Sequence, residues 1–125
     1  MRVAEIMNKV MVVEENCSLK DAAKIMSDRG IGSLVILKND NITGIITERD
    51  IMKNVDKMNK KISAVMSRNV ITTEQTETLD NAALIMSEHK IKRLPVLHKG
   101  KLVGIITATD ILANSDALNE AFLFD

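Results

Sequence analysis

With 125 residues, 46% of them hydrophobic, the chain can bury a real core as one ordinary domain or as two very small ones. The 17 Lys and Arg residues balance 17 Asp and Glu, so no overall field draws the protein to nucleic acid or to an anionic membrane. The absence of Trp and Tyr excludes a base-stacking platform, and a single Cys excludes an internal disulfide.

In chain order, residues 3–7 read as a short helical turn and Val10-Met11-Val12-Val13 as a short extended run. No apolar run of signal-peptide or membrane-spanning length occurs, so the expected compartment is the cytosol. Ser18-Leu19-Lys20-Asp21 has the form of a capping box, and Leu19, Ala22, Ala23 and Met26 follow on one helical face. Gly30 suits the left-handed position that ends such a helix. Leu34 to Leu37 is an apolar run of strand length, and Lys38 to Asn41 is turn-rich. Ile42 to Ile46 supplies the return strand, and a second helix is expected from Thr47 through Met52. Residues 53–61 are polar and lysine-rich, and read as a solvated connection.

After that connection the pattern returns. Ile62 to Met66 matches the opening turn, Val70 to Thr73 the first strand, Thr78 to Ser87 the first long helix, and Leu94 to Leu97 the next strand. Gly44-Ile45-Ile46-Thr47-Glu48-Arg49-Asp50-Ile51 recurs about sixty residues on as Gly104-Ile105-Ile106-Thr107-Ala108-Thr109-Asp110-Ile111. One unit of that length is marginal alone, and two burying their apolar faces together form the natural solution. The boundaries drawn from this register are 1–57 and 58–125. Pro95 replaces Val35 of the first copy; lacking a ladder donor, it is expected at a strand start or on an edge. The apolar tail from Leu118 to Phe124 is expected to cover the core or to touch another subunit.

The repeated Thr47-x-x-Asp50 and Thr107-x-x-Asp110 support two readings. Each fits a capping box, as Ser18 to Asp21 does. Each also places a helix start directly after a glycine-containing strand, where phosphates often bind, and an aspartate suits the paired hydroxyls of a ribose. The two roles can coexist. Lys92-Arg93 stands where the first copy has Gly32-Ser33, and reads either as a phosphate-binding pair or as a solvated surface pair. Cys17 reads as a small filler, His89 and His98 as surface residues, and Glu48-Arg49 as exposed helix residues. One thiol and two scattered histidines make no zinc pattern, and no HExxH, GxGxxG or Walker A stretch is present. No catalytic residue, metal or cofactor is therefore expected, and an enzyme is not.

The repeated Gly-Ile-Ile-Thr-x-x-Asp-Ile, each time after an Ala-Ala helix and an apolar strand, resembles the cystathionine beta-synthase (CBS) domain. Two in tandem resemble a CBS pair, or Bateman module, and the likeness runs from Ala4 to Ile111. It implies an α+β fold of two βαββα units related by a pseudo-two-fold axis and packed through their sheets, with two clefts between the repeats. It implies a regulatory module that binds adenosine-containing ligands: AMP, ADP, ATP or S-adenosylmethionine. By that resemblance Asp50 and Asp110 hold ribose hydroxyls, and Thr47 and Thr107 contact ribose or phosphate. Met11 with Ile31, and Ile71 with Ile91, enclose the base. One cleft would group Asp50 with Ile71, Ile91 and Arg93, the other Asp110 with Met11, Ile31 and Ser33. Lys92-Arg93 resembles the phosphate-binding pair in the regulatory subunit of AMP-activated protein kinase, with Lys92 where that protein has histidine. Since the first copy has no basic pair, the two sites are expected to differ. A homodimer and a separate regulated protein are the implied partners. The alternative, from another class, is a structural or interaction module whose Thr-x-x-Asp stretches serve only as helix caps.

Overall fold

The computed structural model describes residues 1–114. The tail expectation, Leu118 to Phe124, lies outside these residues. In order the elements are α1 (Val3–Ile6), β1 (Val12–Glu14), α2 (Leu19–Arg29), β2 (Ser33–Lys38), β3 (Asn41–Thr47) and α3 (Glu48–Lys53). Two single turns, Val55–Lys57 and Ile62–Ala64, lead to β4 (Thr73–Glu74), α4 (Leu79–His89), β5 (Arg93–His98), β6 (Lys101–Thr107) and α5 (Ala108–Ala113). They form two compact units: Val10–Val70, and Met1–Lys9 together with the chain from Ile71 onward.

In the first unit, Ser18 Oγ accepts from the Asp21 N–H at 3.0 Å and so starts α2. This is a cap on one arm, worth about 1 kcal/mol; the reciprocal arm of the expected box is not formed. The helix buries Leu19, Ala22 and Met26 and ends at Gly30, φ 60°, whose N–H returns to the carbonyls of Met26 and Ser27. The second unit repeats this with Thr78 accepting from Asn81 N–H, and buries Leu79, Ala82 and Met86. There the left-handed end position is taken by Lys90, φ 54°, a conformation that a Cβ-bearing residue adopts at some cost.

Each unit has one three-stranded sheet, in the orders β1-β2-β3 and β4-β5-β6. In both, the outer early strand runs parallel to the middle one, which pairs antiparallel with the last. The hairpin turns take positive φ at Asn39 (53°) and Asp40 (65°), and at Lys99 (51°) and Gly100 (77°). That backbone matches the twist of the strands it joins.

Pro95 departs from expectation. It is the third residue of β5, which is the middle strand of its sheet. In the first unit, Val35 N–H donates to Met11 O at 3.1 Å, toward β1. Pro95 has no such donor, and β4 has two residues where β1 has three. Its pairing begins at Thr73↔Val96, just past the proline. The imide nitrogen therefore faces a stretch with no ladder, and the middle strand is locally an edge.

Both cores are closed by a segment that sequence order assigns to the other repeat. Ile62 and Met66 join Leu19, Leu34, Ile36 and Ile46, while Val3 joins Leu79, Leu94, Val96 and Ile106. The connection at 53–61 is also more than solvated chain. The N–H groups of Leu19 and Lys20 donate to Lys60 O and Met58 O at 2.9 and 3.0 Å, satisfying otherwise orphaned donors at the start of α2. Met58 packs half-buried on the first core.

Candidate functional site

The candidate site is the strand-to-helix corner that ends each sheet. Thr47 is both the last residue of β3 and the N-cap of α3. Its N–H donates to Asp50 Oδ2 at 2.9 Å, and its Oγ1 accepts from the Asp50 N–H at 3.4 Å. The hydroxyl also reaches Asp50 Oδ2 at 3.1 Å. In the second copy Thr107 N–H donates to Asp110 Oδ2 at 2.9 Å, and Thr107 Oγ1 accepts from Asp110 N–H at 3.1 Å. Both corners are complete capping boxes, so the capping role is present whatever else the residues do.

The boxes hold the two aspartates half-buried and point one oxygen of each into the turn. Among the described residues, no donor reaches the other oxygen, Oδ1, of either one. The helix starts offer little else to an anion. Glu48 N–H donates to Gly32 O at 3.0 Å and Ala108 N–H to Lys92 O at 2.8 Å, while Asp50 and Asp110 N–H are held by the threonines. These bonds also pin each corner to the start of the middle strand, where Ser33 pairs with Thr47 and Arg93 with Thr107. The fold thus brings Ser33, Thr47 and Asp50 to one sheet end. In the other unit Lys92, Arg93, Thr107 and Asp110 meet in the same way. Ser33 is buried, Arg93 half-buried and Lys92 exposed.

The expected base-enclosing residues sit half-buried at the rims of their cores, Met11 and Ile31 on the first, Ile71 and Ile91 on the second. Ile31 also lines a hollow of about 490 Å³ with Met26, Gly30, Glu48, Ile51 and Met52. A difference invisible in side-chain chemistry separates the two sets. Met11 O is engaged by Val35 N–H, whereas Pro95 leaves Ile71 O without that donor, and no other described backbone N–H replaces it.

Two further features escaped sequence reading. Asn54 and Asn114, four residues after each aspartate, donate from Nδ2 to Asp50 O and Asp110 O at 2.7 and 2.8 Å and close the short helices. Their matching position in the two copies was the signal available. The repeated glycines prove to be packing devices. A Cβ at Gly104 would lie 2.8 Å from Met7 Sδ and 2.9 Å from Asn8 O, and one at Gly44 would meet the Met66 side chain. Their small size lets the segments before each repeat cross the last strand, where Asn8 bridges to Ile105 and Ser67 to Ile45.

Burial, helped by the nearby Asp21 carboxylate, pushes the Cys17 thiol up, and its Sγ donates to Ser18 O at 3.4 Å, as befits a filler. His89 and His98 are exposed, as are Glu48 and Arg49. Among the described residues no cluster of three His, Cys, Asp or Glu side chains could hold a metal, and no helix is long and apolar enough to cross a membrane.

Comparison with known proteins extends these observations. An uncharacterized protein of Methanocaldococcus jannaschii, MJ1232, is 37% identical over 105 residues, covering 83% of this chain and 36% of that protein. A homoserine O-acetyltransferase of Methanohalophilus mahii is 36% identical over 114 residues, covering 89% of this chain and 24% of that enzyme. The chain thus spans about a third or less of these relatives. Among solved structures, the CBS domain pair of protein MJ0100 in complex with 5′-methylthioadenosine and S-adenosyl-L-methionine is 36% identical. It superposes with a TM-score of 0.83, covering 89% of this chain and 92% of that one. Residues 3–57 and 62–116 each match the CBS domain. The chain therefore belongs to the CBS domain family and carries the domain twice in tandem.

Proposed function

We propose that this CBS pair is a regulatory module that binds an adenosine-containing ligand, an adenine nucleotide or S-adenosylmethionine, and performs no catalysis itself. The observation that carries the reading is the acceptor set. Asp50 and Asp110 are each fixed through Oδ2 while, among the described residues, no donor reaches Oδ1, which suits the hydroxyls of a ribose. Ile71 O, stripped of its ladder partner by Pro95, is a backbone acceptor suited to the exocyclic amine of adenine. Lys92 and Arg93 would meet a phosphate, Arg93 through its fork. Met11, Ile31, Ser33, Ile71 and Ile91 would supply the aliphatic and polar walls, and Thr47 and Thr107 the remaining hydroxyl contacts. The adenosine moieties held by the CBS pair of MJ0100 support the ligand class. Binding acts by favouring one of two arrangements of the module, which a partner protein reads. Exposed Met52 and Val55 in one unit and Leu84 in the other leave apolar area for a second copy in a homodimer, which sedimentation tests.

Calorimetry against AMP, ADP, ATP and S-adenosylmethionine tests the reading. A ligand at a hundred times its Kd adds about 2.7 kcal/mol, on the order of 10 °C in thermal midpoint for a chain this size. Asp50→Ala and Asp110→Ala are each expected to remove binding at one site. The complete capping boxes favour a second reading, a structural module with caps alone. In that case no ligand moves the midpoint, and the same substitutions cost about 1 kcal/mol of stability and nothing else.

A further inference from the structure

The two aspartates are not equally available. Asp110 Oδ2 accepts from Thr107 N–H at 2.9 Å and, from outside the corner, from Asn8 Nδ2 at 2.8 Å. Those two donors fill the two in-plane lone pairs of one carboxylate oxygen. Among the described residues, Asp50 Oδ2 is served from within its own corner, by Thr47 N–H and the Thr47 hydroxyl. The residue that occupies the place of Asn8 in that unit is Ser67. Ile45 and Ser67 exchange backbone bonds of 3.0 and 3.0 Å, as Ile105 and Asn8 do at 3.0 and 2.8 Å. Among the described residues, no bond joins the Ser67 side chain to Asp50.

We propose that Asn8 sets the affinity and diol specificity of the Asp110 corner by holding the oxygen that a second ribose hydroxyl needs. This rests on the adenosine-binding reading above. A ribose presents two adjacent hydroxyls. At Asp50 one can use Oδ1 and the other Oδ2, because the Thr47 hydroxyl turns aside and can donate elsewhere. At Asp110 the amide of Asn8 stands in that position, carried on a backbone that is itself held in place. Its strand bridge to Ile105, the buried Val3 and the Met7 contact over Gly104 hold the opening segment in place. A ligand with both hydroxyls must displace the Asn8 side chain, and so couples occupancy of this corner to the segment Met1–Lys9. A ligand with one hydroxyl binds Oδ1 and leaves the contact intact.

The test uses the full chain carrying Asp50→Ala, so that titration reports the Asp110 corner, with AMP and 2′-deoxy-AMP as probes. Adding Asn8→Ser, the side chain that Ser67 presents at the matching place in the other unit, is expected to tighten AMP about five- to tenfold and to leave 2′-deoxy-AMP within about twofold. AMP binding that is unchanged or weaker overturns the inference while leaving the functional reading intact. If neither protein binds AMP, the inference falls; the functional reading falls with it only if ADP, ATP and S-adenosylmethionine also fail to bind the unsubstituted chain. Should Asn8→Ser shift the thermal midpoint, the side-chain amide resonances of Asn8 in the unsubstituted protein give a second readout. Saturating AMP is expected to move them to the position of a solvent-exposed amide, and resonances that stay put overturn the inference.

Discussion

The two repeats share a fold and a corner, yet they differ at the points that would discriminate ligands. The first closes its corner with its own threonine, engages Met11 O through Val35, and has Gly32-Ser33 before its middle strand. The second brings in Asn8, frees Ile71 O through Pro95, and carries Lys92-Arg93. The apolar framework is the invariant part, because buried side chains tolerate little change in volume. The differences lie at the strand-to-helix corners and beside the early strand, and one of them, Val35 against Pro95, is itself buried. Similar cores do not make similar sites.

The sharpest way to break this comparison is at the exchanged segments. Ile62→Ala is expected to cost about 3 kcal/mol, with amide protection lost mainly in α2 and β2 of the first unit. Protection lost instead in α4 and β5 would refute the assignment of that residue to the first core. Next come the glycines. Gly104→Ala forces a Cβ against the Asn8 carbonyl as well as Met7, and is expected to cost about 3 kcal/mol. Gly44→Ala displaces only the flexible Met66 side chain, at about 1 kcal/mol. Chemical denaturation of the two variants checks the order.

Pro95→Val restores in the second repeat the donor that Val35 supplies in the first. Stability is expected to change by less than about 1 kcal/mol, a new hydrogen bond offsetting the lost rigidity of proline. Adenine-ligand affinity is expected to fall about tenfold as Ile71 O is taken up. Affinity that holds would show that this carbonyl does not serve the ligand. Thr73→Val works the other way. The Thr73 hydroxyl is buried without a partner among the described residues, where the first repeat has Val13, so the substitution should stabilise by about 1 kcal/mol in a thermal melt.

The smallest expected effect is in acid. Glu77, which stands where the first repeat has Cys17, accepts from Asn81 Nδ2 at 2.8 Å and from Thr78 N–H at 3.1 Å. These bonds hold its carboxyl below its ordinary range. The stabilisation is present above the pKa of the unfolded chain and is lost as pH falls through the lower folded value. Glu77→Gln should therefore remove a slight acid-side slope in thermal midpoint, and lower the midpoint slightly at neutral and alkaline pH, where the charged form contributes.

Helical spacing at Leu19, Ala22 and Met26, the apolar runs at Leu34 and Leu94, and the repeated Thr-x-x-Asp make the elements and the corners legible in the sequence. Local chemistry governs such features: a cap needs a hydroxyl at one position, and a buried face needs apolar residues at a fixed period. Asn8 was not legible, because nothing local marks an asparagine as the donor to an aspartate far along the chain. Pro95 misled for a related reason. Its missing donor was read as a constraint on where the strand lies, whereas the strand stays in the middle of its sheet and the β4 ladder starts just past the proline.

By itself the sequence determined that there are two copies, which elements each contains, and that each corner is capped, since periodicity and neighbouring side chains encode all three. The tertiary structure alone decided which core receives Val3 and which receives Ile62, which carbonyl is left open, and which aspartate is shared with Asn8. Those outcomes depend on where the backbone crosses itself, and two short segments of similar apolar pattern carry no local mark of the partner on which each will pack.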